Sequence, residues 1–333
     1  MSVRGKAFLV ADIGGTNARF ALAEERDGEV VVGPLSIFQT HEHASLEEAL
    51  RRFLDEQGNP DLAAAGLCAA GPVKGEGDEL SISMTNCPWQ ASLVSLAEVT
   101  GLSRLRLMND YEALAFSLPG LKTDDLQTIG PALAERMNAP RCVLGAGTGL
   151  GVAGLLRDGD RDVVVASEGG HVDLAATDSF EADVLALLQA RFGHVSVERV
   201  LSGSGLQVLY EAVSMLAGRE GVTAPMPQMI AQQAMSGECE ASASAIRLFC
   251  GWLGAAAGNF ALTFGAWSGV YIGGGIVPGW LAAMPGLFNE ALFRERFEAK
   301  GRFGAMLSAV PVHVIRKPDA AMLGLARALR QAD

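Results

Sequence analysis

The sequence is short of the residues on which several classes of protein depend. Its five cysteines (Cys68, Cys87, Cys142, Cys239 and Cys250) are scattered, odd in number and never in a CxxC pair. Neither a disulfide framework nor a zinc site is expected, and a reducing cytoplasm fits. Positive charge is also scarce: the net charge is −12 and the isoelectric point near 4.9. That balance argues against a nucleic-acid partner or an acidic membrane surface. Any phosphate ligand must then be held by local backbone dipoles and a metal. There is no GxxxxGK[ST] run, and Leu150 interrupts what would otherwise be GxGxxG at 145–150, so neither a Walker loop nor a Rossmann fingerprint is present. A secretory core is missing too, because Asp12 breaks the first apolar run. Leu248–Asn289, 42 residues without a charge, is long enough for a membrane span. Gly, Ser, Asn and Pro interrupt it and VYIGGG sits inside it, which implies a buried helix, a core strand and another helix, and no membrane partner.

What is present is a chain of 333 residues, 49% apolar and 19% charged, enough for one large or two ordinary domains with a sizeable core. Phe8–Phe20, FLVADIGGTNARF, organises it. Two β-like runs joined by Gly14-Gly15-Thr16-Asn17 read as a hairpin. Glycines at its tip leave backbone amides free to face an anion such as phosphate. Asp12 at the mouth of the turn would repel a bare phosphate, and makes sense if Mg²⁺ sits between them, bound through water.

Val30–Phe38 reads as a third strand of an antiparallel meander. Leu46–Gln57 has helical spacing, with Ser45 as cap and Gly58 as stop. Leu62–Ala70 returns as a buried strand, and Ser81–Trp89 as a strand ending in a polar loop that holds Asn86. Leu105–Asp110 is a strand followed at once by the helix Tyr111–Leu118. Asp110 is therefore either a reactive carboxylate at a strand's carboxyl end or a helix cap. Lys122–Arg141, rich in charge and proline, is the candidate boundary. Val143–Leu156 repeats the strand, glycine turn, strand logic at Gly147-Thr148-Gly149. Two phosphate-type hairpins imply a duplicated architecture with a cleft between halves. In Ser167–Asp173, SEGGHVD, glycines let Glu168 and His171 aim into one pocket; with five histidines in the chain and no third ligand, zinc is improbable. His41 and His43 read as a solvated loop, and Glu198 as a pocket residue or a salt-bridge partner of Arg199. After Ser179–Phe192, an amphipathic helix, Ser202–Gly205 opens another. Ala241–Phe264 is a long buried helix, Gly269–Pro278 (GVYIGGGIVP) a strand, glycine turn and helix start, Val310–Ile315 a strand, and Pro318-Asp319 the opening of a helix ending at Arg330.

DIGGTNARF, NDYEALAFSLPGL, VLGAGTGLG, SEGGHVD and GVYIGGGIVP occur in that order, and together they resemble the bacterial glucokinases of the hexokinase, actin and Hsp70-like ATPase superfamily. No CxCGxxGC-type cluster is present, which separates the chain from the ROK sugar kinases and places it with the zinc-free glucokinases. The resemblance implies an α/β fold of two ribonuclease-H-like domains around an interdomain cleft. One would be 1–120 plus 316–333, holding the first hairpin and the catalytic Asp; the other 121–315, holding the second hairpin, the sugar loop and an adenosine motif at Gly274 and Gly275.

The resemblance also implies a reaction, the transfer of the γ-phosphoryl of ATP to the 6-hydroxyl of D-glucose. Asp110 would be the general base; Asn86, Asn109, Asp110, Glu168, His171 and Glu198 would contact the sugar. Asp12, Gly14, Gly15, Thr16, Asn17, Gly147, Thr148, Gly149, Gly274 and Gly275 would hold ATP, with Mg²⁺ at Asp12 through water. A cytoplasmic homodimer is the assembly the resemblance implies. Two rival readings are a sugar-sensing regulator, which would carry a DNA-binding segment ahead of Phe8, and an actin-like filament protein, against which the sugar-type loop argues.

Overall fold

The structure, a computed structural model, describes residues 7–84, 87 and 89–331. The chain divides into two compact units: Met1–Lys122 with Arg157–Ala166 and Lys317–Asp333, and Thr123–Leu156 with Ser167–Arg316. Relative to a division into 1–120 plus 316–333 and 121–315, the internal segment Arg157–Ala166 groups with the first unit.

In the first unit, β1 (Ala7–Ile13) and β2 (Asn17–Arg26) form the opening hairpin, with Asp12 opposite Arg19. The expected third strand over Val30–Phe38 is two strands, β3 (Glu29–Val32) and β4 (Ser36–Gln39), both paired with β2. Gly33-Pro34 breaks it. Pro34 has no amide to donate, and the Gly33 amide bonds the Leu22 carbonyl at 2.8 Å, so close that a Cβ would sit 2.9 Å from that oxygen. Helix α1 (Leu46–Glu56) begins at Ser45, whose hydroxyl accepts from the Glu48 amide. Next come β5 (Leu62–Ala69), parallel to β1, a small sheet of β6 (Val73–Lys74), β7 (Ser81–Ser83) and β8 (Gln90–Ser92), and α2 (Leu93–Thr100). β9 (Leu105–Asn109), parallel to β5, runs into α3 (Asp110–Ser117).

The main sheet has the order β3-β2-β1-β5-β9 with β4 beside β2. Helices cover both faces, which is why β1 is apolar from Ala7 to Ala11 rather than alternating: Leu9, Ala11 and Ile13 pack with Leu46, Leu50 and Phe53, whereas Phe8 and Val10 pack with Phe116 and Leu325. His43, expected in a solvated loop, is buried instead. Its ring stacks on Phe38 with centroids 5.1 Å apart, and its carbonyl accepts from the Trp89 indole. An aromatic neighbour on each side outweighed the polar residues around it in sequence.

From Thr123 to Arg316 the chain forms β10 (Leu126–Thr128), β11 (Arg141–Ala146), β12 (Leu150–Asp158), β13 (Arg161–Ser167, all but its last residue in the segment grouped with the first unit), α4 (Ser179–Phe192), α5 (Val197–Val200), α6 (Gly203–Leu216), α7 (Pro227–Ser236), α8 (Glu240–Phe264), β14 (Gly269–Gly273), α9 (Ile276–Ala283), α10 (Glu290–Glu298), α11 (Gly304–Leu307) and β15 (Val312–Ile315). These strands form one sheet in the order β10-β15-β14-β11-β12-β13. Without β10, that order and its strand directions repeat the first sheet: an antiparallel three-strand meander with two parallel strands added beside its first strand. Both sheets have the ribonuclease-H-like arrangement. Helix α8 is long and apolar enough to cross a membrane, but 83% of its apolar window is buried inside the fold. Gly254 and Gly258 let α10 press against it, since a Cβ at either would stand 2.2 or 2.4 Å from the Phe293 or Phe297 carbonyl oxygen.

Helix α12 (Ala320–Arg330) belongs to the first unit and lies on α3. Buried Asp162, from the segment that groups with this unit, accepts from Arg157 at 2.7 Å and Arg327 at 3.0 Å, and its backbone exchanges two bonds with the Gln331 amide group. A buried carboxylate is tolerated because it is paired twice.

Candidate active site

In the first unit, the functional side chains gather at the carboxyl ends of the parallel strands β1, β5 and β9. Asp12 is in register with Cys68 on β5, and Asn109 with Ala69. The turn after Asp12 is held from behind. Thr40, buried, donates its hydroxyl to the Gly15 carbonyl at 2.8 Å and its amide to the Thr16 carbonyl at 2.9 Å, while Gln39 donates to the Asn17 side chain at 2.7 Å. Among the described residues, the Gly15 and Thr16 amides have no backbone partner, which suits an anion. Gly14 does not take the positive φ expected of such a turn; close approach explains it, since a Cβ would lie 3.1 Å from the Asn17 carbonyl oxygen.

Asn109, not Asp110, caps α3: its side-chain oxygen accepts from the Tyr111 amide at 2.8 Å, and its NH₂ group donates to the Gly71 carbonyl at 3.0 Å. Asp110 is the first helical residue, and its Oδ1 also accepts from the Tyr111 amide, at 3.0 Å. Burial, and then the negative charge of Asp12, push the Asp110 carboxyl up to about 6, against weaker opposition from those hydrogen bonds. A carboxylate poised so close to neutrality is what a general base requires. Asp12 itself accepts from Arg19 at 2.9 Å through Oδ2, and faces the Cys68 thiol through Oδ1 at 3.8 Å. Two carboxylates that feel each other's charge suit a divalent cation. No group of three or more metal-binding side chains occurs among the described residues. Asn86 lies outside the described residues.

The second unit builds its part around the turn Gly147–Gly149. The Gly147 amide bonds the Gly149 carbonyl, and the Gly147 carbonyl accepts from the Gly203 amide at the start of α6, both at 2.8 Å. Beside the turn is a cavity of about 620 Å³ lined by Gly147, Thr148, Ser204, Gln207, Gly275, Ile276 and Trp280, with Met226 and Gln228 at the start of α7. Gly275 lines this cavity. Gly274 is needed for the backbone instead: its φ is +76°, and a Cβ would meet the Ala146 carbonyl oxygen at 2.4 Å.

A second cavity of about 300 Å³ is lined by Thr148, His171, Glu198, Ser202, Arg191 and Arg199. Glu168 precedes and His171 ends a short 3-10 turn, Gly169–His171, closed by the His171 amide on the Glu168 carbonyl; of the two expected to aim into one pocket, His171 lines this cavity and Glu168 does not. Glu198 does not pair with Arg199, whose guanidinium stacks on Phe192. Its carboxylate accepts from the Leu150 amide at 2.8 Å and stands 3.9 Å from the His171 ring. Thr148 and Ser204 line both cavities.

Several of these residues were not singled out in the sequence: Thr40, Gln39, Gln207, Met226, Gln228 and Trp280. The one detectable signal was Pro227, a proline at the first position of a helix, following an apolar residue that is left exposed, Met226.

The sequence model of the glucokinase family matches residues 9–332. A glucokinase from Aromatoleum aromaticum is 43% identical over 330 residues, covering 97% of this chain and 95% of that protein. Among solved structures, a glucokinase from an Antarctic psychrotroph is 35% identical, with a TM-score of 0.88 over 98% of this chain and 99% of that one. A ROK family glucokinase from Streptomyces griseus, in complex with glucose and AMPPNP, is 19% identical with a TM-score of 0.60, covering 98% and 100% of the two chains. That likeness is one of fold.

Proposed function

The chain belongs to the glucokinase family, and on that premise we propose how its residues carry out the reaction. The protein phosphorylates D-glucose with ATP to give glucose 6-phosphate. The observation that carries the site assignment is the meeting of two cavities at Thr148, one beside the glycine turns and one lined by His171 and Glu198. ATP occupies the larger cavity, its phosphates on the amides of Thr148 and Gly149 and of Gly15 and Thr16, because the Gly147 and Gly14 amides are already bonded within their own turns. Glu168, His171 and Glu198 accept or donate hydrogen bonds to the ring hydroxyls of glucose, with Asn86 and Asn109 as further contacts. Asp110 orients the 6-hydroxyl and takes its proton as the oxygen attacks the γ-phosphorus. The transition state is loose, so positioning and charge neutralisation dominate. Mg²⁺, held by Asp12 through water, would neutralise phosphate charge when bound. The free cysteines (Cys68, Cys87, Cys142, Cys239 and Cys250) support a reducing cytoplasm, where this step would open glycolysis. A homodimer is the proposed assembly, and sedimentation velocity at twice the monomer mass checks it.

Release of ADP, coupled to a reporter and measured with glucose, mannose, fructose, galactose and N-acetylglucosamine, tests the sugar site. A site that hydrogen-bonds hydroxyls rejects analogues lacking them by roughly 10⁴-fold, and epimers that still pair with some of its groups by less. The expected result is turnover with glucose far above the other sugars. Preference for another hexose would overturn the assignment of Glu168, His171 and Glu198 and leave the phosphate turns and Asp110 in place.

A further inference from the structure

We propose that Gly149, a residue of the phosphate turn, positions the sugar pocket, and that it does so through Glu198. The inference rests on the reading of Glu198 as a glucose ligand. A Cβ built on Gly149 would lie 2.5 Å from Glu198 Oε2, the same oxygen that accepts from the Leu150 amide at 2.8 Å. The turn's missing side chain is therefore the space the carboxylate occupies, and the next residue's amide fixes it there. Glu198 Oε1 is the oxygen left facing His171, at 3.9 Å.

The rest of the sugar loop is moored to the same strand. A Cβ on Gly170 would stand 2.2 Å from the Leu150 carbonyl oxygen, and the Ser167 hydroxyl donates to the Val152 carbonyl at 2.9 Å. On the other side, the Val197 amide bonds the Val172 carbonyl at 2.9 Å, joining the sugar loop to the start of α5 just before Glu198. Leu150 is thus gripped through its amide by one sugar ligand and approached at its carbonyl by the loop carrying the other two. Phosphates on the Thr148 and Gly149 amides and glucose on Glu198 act on one connected block. Coupling of this kind is reciprocal, so each substrate must alter the affinity for the other by the same factor.

Gly149→Ala tests this directly. The atom it strikes is the far end of a flexible side chain, so the fold survives while Glu198 swings off the Leu150 amide. Glucose affinity is measured by calorimetry without nucleotide, and affinity for Mg²⁺–AMPPNP without glucose. Gly149→Ala is expected to weaken nucleotide-free glucose binding by about tenfold or more, the loss of one charge-assisted hydrogen bond. Glu198→Ala is expected to weaken glucose-free AMPPNP binding several-fold, although Glu198 touches no phosphate, while Glu198→Gln, which keeps an acceptor for Leu150, retains it. Wild-type glucose affinity in Gly149→Ala, together with weakened glucose binding in Glu198→Ala, overturns the coupling alone. Wild-type glucose affinity in both variants removes Glu198 from the sugar site, and the proposed function's sugar assignment with it.

Discussion

Asp110→Asn is expected to bind glucose and ATP as the wild type does and to turn over about 10²–10⁴-fold more slowly, the usual contribution of a positioned general base. The amide keeps the shape of the side chain and an oxygen for the Tyr111 amide, and Asn109 still caps α3, so the helix start is not disturbed. What disappears is the group that receives the 6-hydroxyl proton. A stability change in the opposite direction is expected alongside. The Asp110 carboxyl is pushed up to about 6 by burial and by Asp12. A folded-state value above the unfolded one means that the native state resists this charge. The penalty is complete above about pH 6 and vanishes as the pH falls from there towards 4. Removing the charge at pH 7.5 should therefore stabilise the protein by up to about 3 kcal/mol. Slower turnover with a higher Tm marks a site built for chemistry at a cost in stability; calorimetry and steady-state kinetics on one preparation read both.

Gly324→Ala is the largest expected loss of stability. Gly324 lies in α12 where it crosses α3, and a Cβ there would stand 1.7 Å from the Ala113 carbonyl oxygen and 2.9 Å from the Ser117 amide nitrogen. Both neighbours are helix backbone, which unlike a side-chain end has nowhere to turn. In an exposed helix the same exchange would be favourable by about 1 kcal/mol through propensity. Here overpacking reverses the sign, and a loss of about 3 kcal/mol or more is expected, or roughly 6–12 °C in Tm for a unit of this size. Because Asp110 is the first residue of α3, the displaced helix should also lower kcat. A Tm within 2 °C of wild type would contradict the close crossing.

Legibility in the sequence followed what each part of the fold depends on. Strands buried on both faces, such as β1 and β14, announce themselves as apolar runs between glycine turns, and helices with hydroxyl caps at Ser45, Ser92 and Ser202 start where those caps stand. Edge elements were harder. β13 carries alternating exposed valines, Val163 and Val165, so even with the Gly159 turn ahead of it it shows no buried face, and β3 and β4 looked like one strand until Gly33-Pro34 divided them. At the site, the short motifs pointed to Asp12, Asp110, Glu168 and His171, because each lies in or beside a glycine turn or at a strand's carboxyl end. The contacts that hold them in place were not visible. Thr40 reaches Gly15 across 25 positions, and Glu198 reaches Leu150 across 48. Only the fold brings such pairs together.

The most direct test of the account is the pH dependence of kcat/KM for glucose between pH 4.5 and 9, in the wild type and in Asp110→Asn. A base that must be ionised gives an acid limb, tenfold per pH unit, with its midpoint near 6, moved lower to the extent that bound Mg²⁺ offsets the charge of Asp12. The residual activity of the Asn variant should lack that limb. A wild-type rate that stays flat to pH 4.5, or an Asn variant that keeps the same limb, would show that some other group takes the proton from glucose.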